Sequence, residues 1–488
     1  MADDDLRSDL SAAAGVAGSK LPGLEPSVGK YKAELSRSLS VRENVLLTLS
    51  AVTPASSLFV IGPAVISGVG GAAVLAYTIA AVIGIAVALC YAELSSAFPI
   101  TGGEYAFVAR TLGKPAGFAL FVQTLISAVL IVAVLADGAG TYLAVIWPDI
   151  NGKAVGVVVI LLTTIVGCLS IRLNAWVTGT FLILELAALA VLAALGLLNI
   201  NQPISSLWTA TTAGDGGVLV AASAGLVISY TATALFSYNG YGTAVYFSEE
   251  TRQATTRIGR IILLSLFVAV VVELIPLIAV VLGTPSMAGL VGAQDPLSYF
   301  LQARGGTVVN TIVSIGVALA VINAVLACIL QAARLVYCSA RDRSWPDAIG
   351  GPLRHVHPRT KAPAVATVVV GVAAALLLVA VPFHALLILT GATVLITYAF
   401  VALSALVGRM NGSTKRAAFT MPLWPAVPIV MLAATLFITY ENLVSDWIPV
   451  AVAVATALIG LPYYYLYIHR RRGDRWTLPD PADDSESG

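Results

Sequence analysis

Two apolar stretches of this chain are interrupted by the same kinds of residue. The first reads Leu47-Thr48-Leu49-Ser50-Ala51-Val52-Thr53-Pro54-Ala55-Ser56-Ser57-Leu58-Phe59-Val60-Ile61-Gly62-Pro63. The sixth reads Ala234-Leu235-Phe236-Ser237-Tyr238-Asn239-Gly240-Tyr241-Gly242-Thr243-Ala244-Val245. Proline, glycine and small hydroxyl residues break helices, and at membrane depth a break is tolerated only where the freed backbone groups meet a cavity or a ligand. A broken helix exposes N–H groups at the start of its second half and C=O groups at the end of its first. In the first break the free N–H groups are expected from Ser56, Ser57, Leu58 and Phe59, just after Ala55. They suit a carboxylate. In the second the free C=O groups are expected from Leu235, Phe236 and Ser237. They suit an ammonium, and the two sets together suit an α-amino acid.

Dipoles alone do not hold such a ligand. One helix end contributes about 0.3–1 kcal/mol to a charge, whereas micromolar binding needs about 8 kcal/mol. Direct hydrogen bonds, at about 1.5–3 kcal/mol each to a charged group, must supply the rest together with packing. Ser56, Ser57, Ser237, Tyr238 and Asn239 offer the bonds and Phe236 and Tyr241 the packing, with Gly240 in the same candidate binding set. The other reading of the same residues is close helix packing, which small residues also permit.

Three acids lie well inside apolar stretches: Asp137, Glu185 and Glu273. A charge there costs at least about 2.5–3.5 kcal/mol and faces a cavity or a partner. Asp137 could meet a second ammonium or line an outer vestibule. Glu273 is expected to bond a neighbouring helix. Asn323, mid-stretch, could be an oxygen ligand, a substrate contact or an interhelical bond. Glu93, Glu104, Glu249 and Glu250 are expected to form ion pairs near the inner face with Arg110, Arg252, Arg257 and Arg334. Arg334, with Arg172, is otherwise expected to snorkel.

The elements that position these residues are membrane helices. Of 488 residues, 58% are hydrophobic and only 11% charged, against about 25% charged in soluble proteins. The net charge of +1 gives no general attraction to nucleic acid. A membrane-crossing helix needs about 20 apolar residues. Twelve stretches approach that length, at roughly 45–67, 72–97, 115–146, 154–172, 175–199, 218–247, 258–283, 306–338, 363–381, 384–408, 421–440 and 446–468. With the N-terminus inside, all but Lys153 and Arg304 of the 27 Lys+Arg fall at the inner side, so both termini are expected to be cytoplasmic. Residues 98–114 read as a surface helix, and residues 284–304 as an external loop with one or two helical turns. Residues 1–40 and the tail 469–488 read as mobile polar segments. The start of the chain lacks a signal peptide. Cys90, Cys168, Cys328 and Cys338 suggest neither disulfides nor a metal site.

The connection Glu93-Leu94, Phe98-Pro99, Gly102-Gly103-Glu104-Tyr105 carries a family pattern. So do Phe247-Ser248-Glu249-Glu250-Thr251 and Ala333-Arg334-Leu335-Val336-Tyr337 with Arg341-Asp342 and Trp345-Pro346. Over about residues 40–470 the chain resembles the amino acid–polyamine–organocation (APC) superfamily of permeases. The resemblance implies an all-α integral membrane protein of twelve transmembrane helices with a leucine-transporter-type 5+5 inverted repeat. The first repeat would span 41–200, the second 218–408, and two extra helices 421–468. It also implies Phe236 as the gate above the substrate. Ala55 and Ser57 stand where the family has glycines. Glu185 stands where many relatives carry a lysine beside the ion site of sodium-coupled cousins. Burial favours the proton-bound form of a carboxyl, so Glu185 could couple transport to a proton; it could instead ligate sodium, or bond a backbone carbonyl.

The expectation is therefore a secondary active transporter that works by alternating access in the plasma (cell inner) membrane. Proton-coupled symport of a neutral amino acid comes first, and a cationic amino acid or polyamine, because of Asp137, second. A channel needs a repeated pore loop or rings of like residues, and neither is visible. A membrane enzyme would need convergent catalytic groups, and the buried acids are scattered. No cofactor is expected beyond the coupling ion, and no partner beyond the small-molecule substrate and the bilayer.

Overall fold

The first helix enters through a capping box. Ser40 Oγ accepts from the Glu43 N–H while Glu43 Oε2 accepts from the Ser40 N–H, so two otherwise unpaired donors are satisfied. The computed structural model describes residues 39–100, 102–143, 147, 149–214, 218–471 and 474–478. The expectations for residues 1–38 and 479–488 lie outside them.

The helices run α1 (Val41–Val52), α2 (Pro54–Val69), α3 (Ala73–Ala97), α4 (Glu104–Thr111), α5 (Lys114–Leu143), α6 (Gly152–Gly167), α7 (Ile171–Leu198) and α8 (Ala224–Ser237). After a 3₁₀ segment (Tyr241–Glu250) come α9 (Ala254–Gly283), α10 (Met287–Gly292), α11 (Pro296–Arg341), α12 (Asp347–Leu353), α13 (Ala364–Ala380), α14 (Phe383–Met410), α15 (Ala426–Ser445) and α16 (Trp447–Leu458). Among the described residues, nine helical segments are long and apolar enough to cross a membrane, with α1 and α2 counted as one. Helices α6 and α13 are apolar but shorter. The fold is that of an α-helical integral membrane protein. Helix α11 lies along α5 and α7, and α9 lies along α3 and α7, while α1 and α2 are the most buried of the long segments.

Several boundaries differ from the sequence reading. Residues 218–222 do not open the sixth span. Leu219–Ala221 pairs antiparallel with Thr211–Ala213, Thr212 opposite Val220, and the helix starts only after Ser223, whose Oγ accepts from the Leu226 N–H. Helix α11 is broken at Gly306, whose φ is 74° and ψ 178°, so the expected span from 306 follows a short helical stretch from Pro296, and with α10 the segment 284–304 carries the expected helical turns. Helix α4 is not a surface helix: Glu104 to Ala109 and Thr111 are all buried.

The inner charges also sort differently. Arg334 does not snorkel. It is buried and forks onto Glu250, with Nε–Oε2 at 2.6 Å and Nη2–Oε1 at 3.0 Å, and lies over the Phe247 ring. Glu249 pairs with Arg341 at 2.6 Å and Glu93 with Arg409 at 2.6 Å. Neither arginine was among the expected partners.

The start of the tail is docked rather than loose. Trp476 is fully buried, its ring 5.1 Å from those of Tyr105 and Phe118 and 5.8 Å from Phe121. Arg475 forks onto Asp347, and the Thr477 N–H donates to the Asp342 carbonyl. A tryptophan in a polar tail finds an aromatic cup only because α4 is buried and presents Tyr105.

Candidate functional site

Thr53 ends α1 and begins α2. It adopts left-handed backbone (φ 50°, ψ 63°), uncommon for a β-branched residue, and Pro54 behind it has no N–H with which to continue α1. The break therefore falls earlier than the sequence suggested. The Ser57 N–H already donates to the Thr53 carbonyl at 2.8 Å. Leu58 and Phe59 follow it within the helix, so the donors of the first turn without a partner in the helix are Ala55 and Ser56. Ser57 Oγ donates to the Val52 carbonyl at 2.9 Å and so ties the two half-helices together.

The second break lies at Tyr238-Asn239-Gly240, between α8 and the 3₁₀ segment. Here the Phe236 carbonyl is not free, because it accepts from the Asn239 N–H at 3.0 Å. The Asn239 side chain bonds the Gly240 N–H at 2.7 Å. Gly240 has φ +120°, and a Cβ there would lie 2.6 Å from the Ala51 carbonyl oxygen and 2.7 Å from the Val52 nitrogen. Only glycine allows this approach. The two breaks touch.

Where they touch is a cavity of about 40 Å³, room for a few water molecules. Ala51, Val52, Thr53 and Ser57 from the first break and Phe236, Asn239 and Gly240 from the second line it. Ile61, Ile131, Leu135, Cys328 and Gln331 complete the wall. No acidic or basic side chain is among these residues.

Of the sequence candidates, Ser57, Phe236, Asn239 and Gly240 are thus brought together. The side chains of Ala55, Ser56, Leu58, Phe59, Leu235, Ser237, Tyr238 and Tyr241 do not line this cavity. The Ser237 hydroxyl is engaged elsewhere, accepting from Tyr77 at 3.1 Å and donating to Glu273 Oε2 at 2.7 Å. Tyr241 donates to the Tyr398 hydroxyl. Phe59 accepts from Tyr142 through its carbonyl. Ser56 Oγ and Tyr238 Oη are buried without a partner among the described residues. Asp137 lies apart from the cavity, within reach of the charge of Lys153.

Glu185 and Asn323 do meet. Asn323 Nδ2 donates to Glu185 Oε1 at 2.8 Å, with both side chains buried. The Ala55 N–H at the start of α2 faces the same carboxylate, which leaves the Ser56 N–H as the open donor there. Glu185 Oε2 and Asn323 Oδ1 have no partner among the described residues.

Thr53, Cys328 and Gln331 were missed. The Thr-Pro step was a visible signal for Thr53. Cys328 and Gln331, three apart and hence on one helix face, stand in an apolar run that reads as ordinary core.

Comparison with known proteins gives the family. A family model described as amino acid permease matches residues 39–468. A branched-chain amino acid permease of Bacillus subtilis is 25% identical over 89% of this chain and 93% of its own length. An uncharacterized transporter of Mycobacterium tuberculosis is 28% identical over 93% of this chain and 96% of its own. A serine/threonine exchanger of Bacillus subtilis is 22% identical over 82% and 89%. These are transporters, and the chain is one rather than an enzyme. It belongs to the amino acid permease family of the APC superfamily.

Proposed function

We propose that the chain is a proton-coupled symporter of neutral amino acids with apolar side chains. The observation that carries this reading is the cavity between the two breaks. The carbonyl end of α1, at Ala51 and Val52, lines the cavity with Thr53 and Ser57, and the Ser56 N–H is left open in the first turn of α2. These ends suit a carboxylate and an ammonium. The remaining wall is largely apolar, and Ile61, Ile131, Leu135 and Phe236 suit an aliphatic side chain. A cationic side chain would find no carboxylate there, which ranks lysine-like substrates and polyamines second. The likeness to a branched-chain amino acid permease points the same way, although fold likeness alone does not assign a substrate. The cavity must widen to admit an amino acid, with Phe236 as the gate.

Glu185 is the coupling residue in this reading. It would accept a proton when the site faces outward and release it inward, and Asn323 would hold its carboxyl beside the first break. Sodium at the same two oxygens is the alternative ion.

The architecture we propose has twelve spans. The nine long segments, the two shorter apolar helices, and α8 with the 3₁₀ segment supply them. Spans 1–5 (41–200) and 6–10 (218–408) form two inverted repeats, each opening on a broken helix, and 421–468 adds two helices. The distribution of Lys and Arg supports cytoplasmic termini in a plasma membrane.

A thermal-shift screen of the detergent-purified protein tests the substrate class. A ligand at 100 times its dissociation constant stabilises by about 2.7 kcal/mol. The reading requires a shift with leucine, isoleucine or valine that lysine and putrescine do not give. A shift with cationic compounds alone would overturn it.

A further inference from the structure

Three of the four acids expected at the inner face hold an arginine: Glu93 with Arg409, Glu249 with Arg341, Glu250 with Arg334. Glu104 differs. It opens α4, outside the membrane-crossing helices, and accepts two phenol hydroxyls, from Tyr91 at 2.8 Å and from Tyr246 in a shorter bond. No cation bonds it among the described residues.

Tyr246 leads back to the cavity. The Gln331 side chain lies near its phenol oxygen. Gln331 lines the cavity and accepts from Thr243 Oγ1 at 2.7 Å. Gly103, with φ +67°, lets the Tyr246 ring lie against the chain, where a Cβ would come within 2.4 Å of it.

We infer that Glu104 is the latch of the cytoplasmic gate, tied to the occupant of the cavity through Gln331 and Tyr246. A substrate that displaces Gln331 shifts Tyr246 and loosens one of the two bonds on the carboxyl. The inference rests on alternating access and extends it to a second acid, distinct from Glu185.

The latch is also a proton site. Burial pushes the Glu104 carboxyl above the usual range, opposed by the bonds from Tyr246 and Tyr91. Facing or behind it are Tyr91 from α3, Tyr246 and Tyr241 from the 3₁₀ segment, and Tyr398 from α14. Of the other groups on these elements, Arg409 of α14 holds Glu93 of α3, Glu249 and Glu250 of the 3₁₀ segment hold Arg341 and Arg334, and the thiols of Cys90 and Cys338 lie near Tyr241 and Tyr246. On α4 itself, the Arg110 guanidinium lies over Phe98. Opening hydrates the carboxyl and returns it to its ordinary range. The closed gate therefore binds the proton more tightly. It is favoured at low pH and loses that advantage as pH rises through the closed-state value. On opening, the proton passes from the Glu104 carboxyl oxygen to cytoplasmic water, and no other covalent bond changes.

Cys328 in the cavity wall reports the gate without knowledge of the substrate. The full chain with Cys90→Ala, Cys168→Ala and Cys338→Ala is placed in inside-out vesicles. A membrane-impermeant methanethiosulfonate then labels Cys328 from the cytoplasmic side. Tyr246→Phe, which removes one hydrogen bond to the carboxyl, is expected to label about tenfold faster. The rate ratio of parent to Glu104→Gln, which cancels the intrinsic chemistry of the thiol, is expected to rise between about pH 5 and about pH 8. Glu104→Asp, which keeps the titrating group, is expected to retain the pH dependence. A flat ratio, or parent-like rates in Tyr246→Phe, overturns the latch; substrate uptake that persists in that case leaves the transport reading standing.

Discussion

Asn323 of α11 donates to Glu185 of α7 at 2.8 Å in the buried centre of the protein. The bond leaves Glu185 Oε2 and Asn323 Oδ1 without partners among the described residues. Two buried acceptors left open are costly. A proton on the carboxyl, or a bound cation, would satisfy them. The same pair sits against the Ala55 N–H at the first break, so a change of charge at Glu185 is felt where the substrate carboxylate is expected.

Gly240 is where the two breaks meet. Gly240→Ala would place a methyl against the Ala51 carbonyl and the Val52 nitrogen and impose strained backbone, at about 1–3 kcal/mol. The variant is expected to fold but to bind neutral amino acids at least about tenfold more weakly. Isothermal calorimetry on the purified variant checks this, and unchanged affinity would separate the breaks from the site.

The Arg334–Glu250 fork is buried. Removing one partner strands a charge, so Arg334→Ala is expected to cost about 3–5 kcal/mol. Arg334→Met with Glu250→Leu is expected to lose less than Arg334→Ala. Thermal melts of the three proteins measure this order.

Trp476 fills the cup of Tyr105, Phe118 and Phe121. Trp476→Ala is expected to destabilise by about 3–5 kcal/mol and to expose the tail to trypsin near Arg470 and Arg471. The neighbouring pair adds a pH dependence. The hydrogen bond from Arg475 holds the Asp347 carboxyl below its ordinary range. The contribution of this pair is therefore present above that range and lost as pH falls through the lowered value. Protection of the tail is expected to survive at neutral pH and to weaken in strong acid, and Asp347→Asn should remove that pH step.

The broad plan was legible because membrane helices announce themselves by apolar length, and broken ones by proline and glycine. The exact register of the first break was not. A left-handed Thr53 leaves no mark in composition beyond the Thr-Pro step, so of the expected donors Ser56, Ser57, Leu58 and Phe59 only Ser56 stays open, and the Ala55 N–H before it faces Glu185. Ser237 looked like a substrate contact because its hydroxyl is plain in the sequence and its partner is not: Glu273, 36 residues away, claims it. Gln331 and Cys328 were silent because a helix face turned to a cavity has the same period as one turned to the core. Trp476 was silent because its aromatic cup is assembled from residues far from it in the chain.

Uptake of radiolabelled leucine into proteoliposomes, with and without an inward proton gradient, tests the central claim most directly. The account predicts accumulation driven by the gradient in the parent. In Glu185→Gln, which keeps the bond to Asn323 but cannot exchange a proton, it predicts leucine exchange without gradient-driven accumulation. Full gradient-driven accumulation by Glu185→Gln, or accumulation by the parent that ignores the gradient, would contradict it.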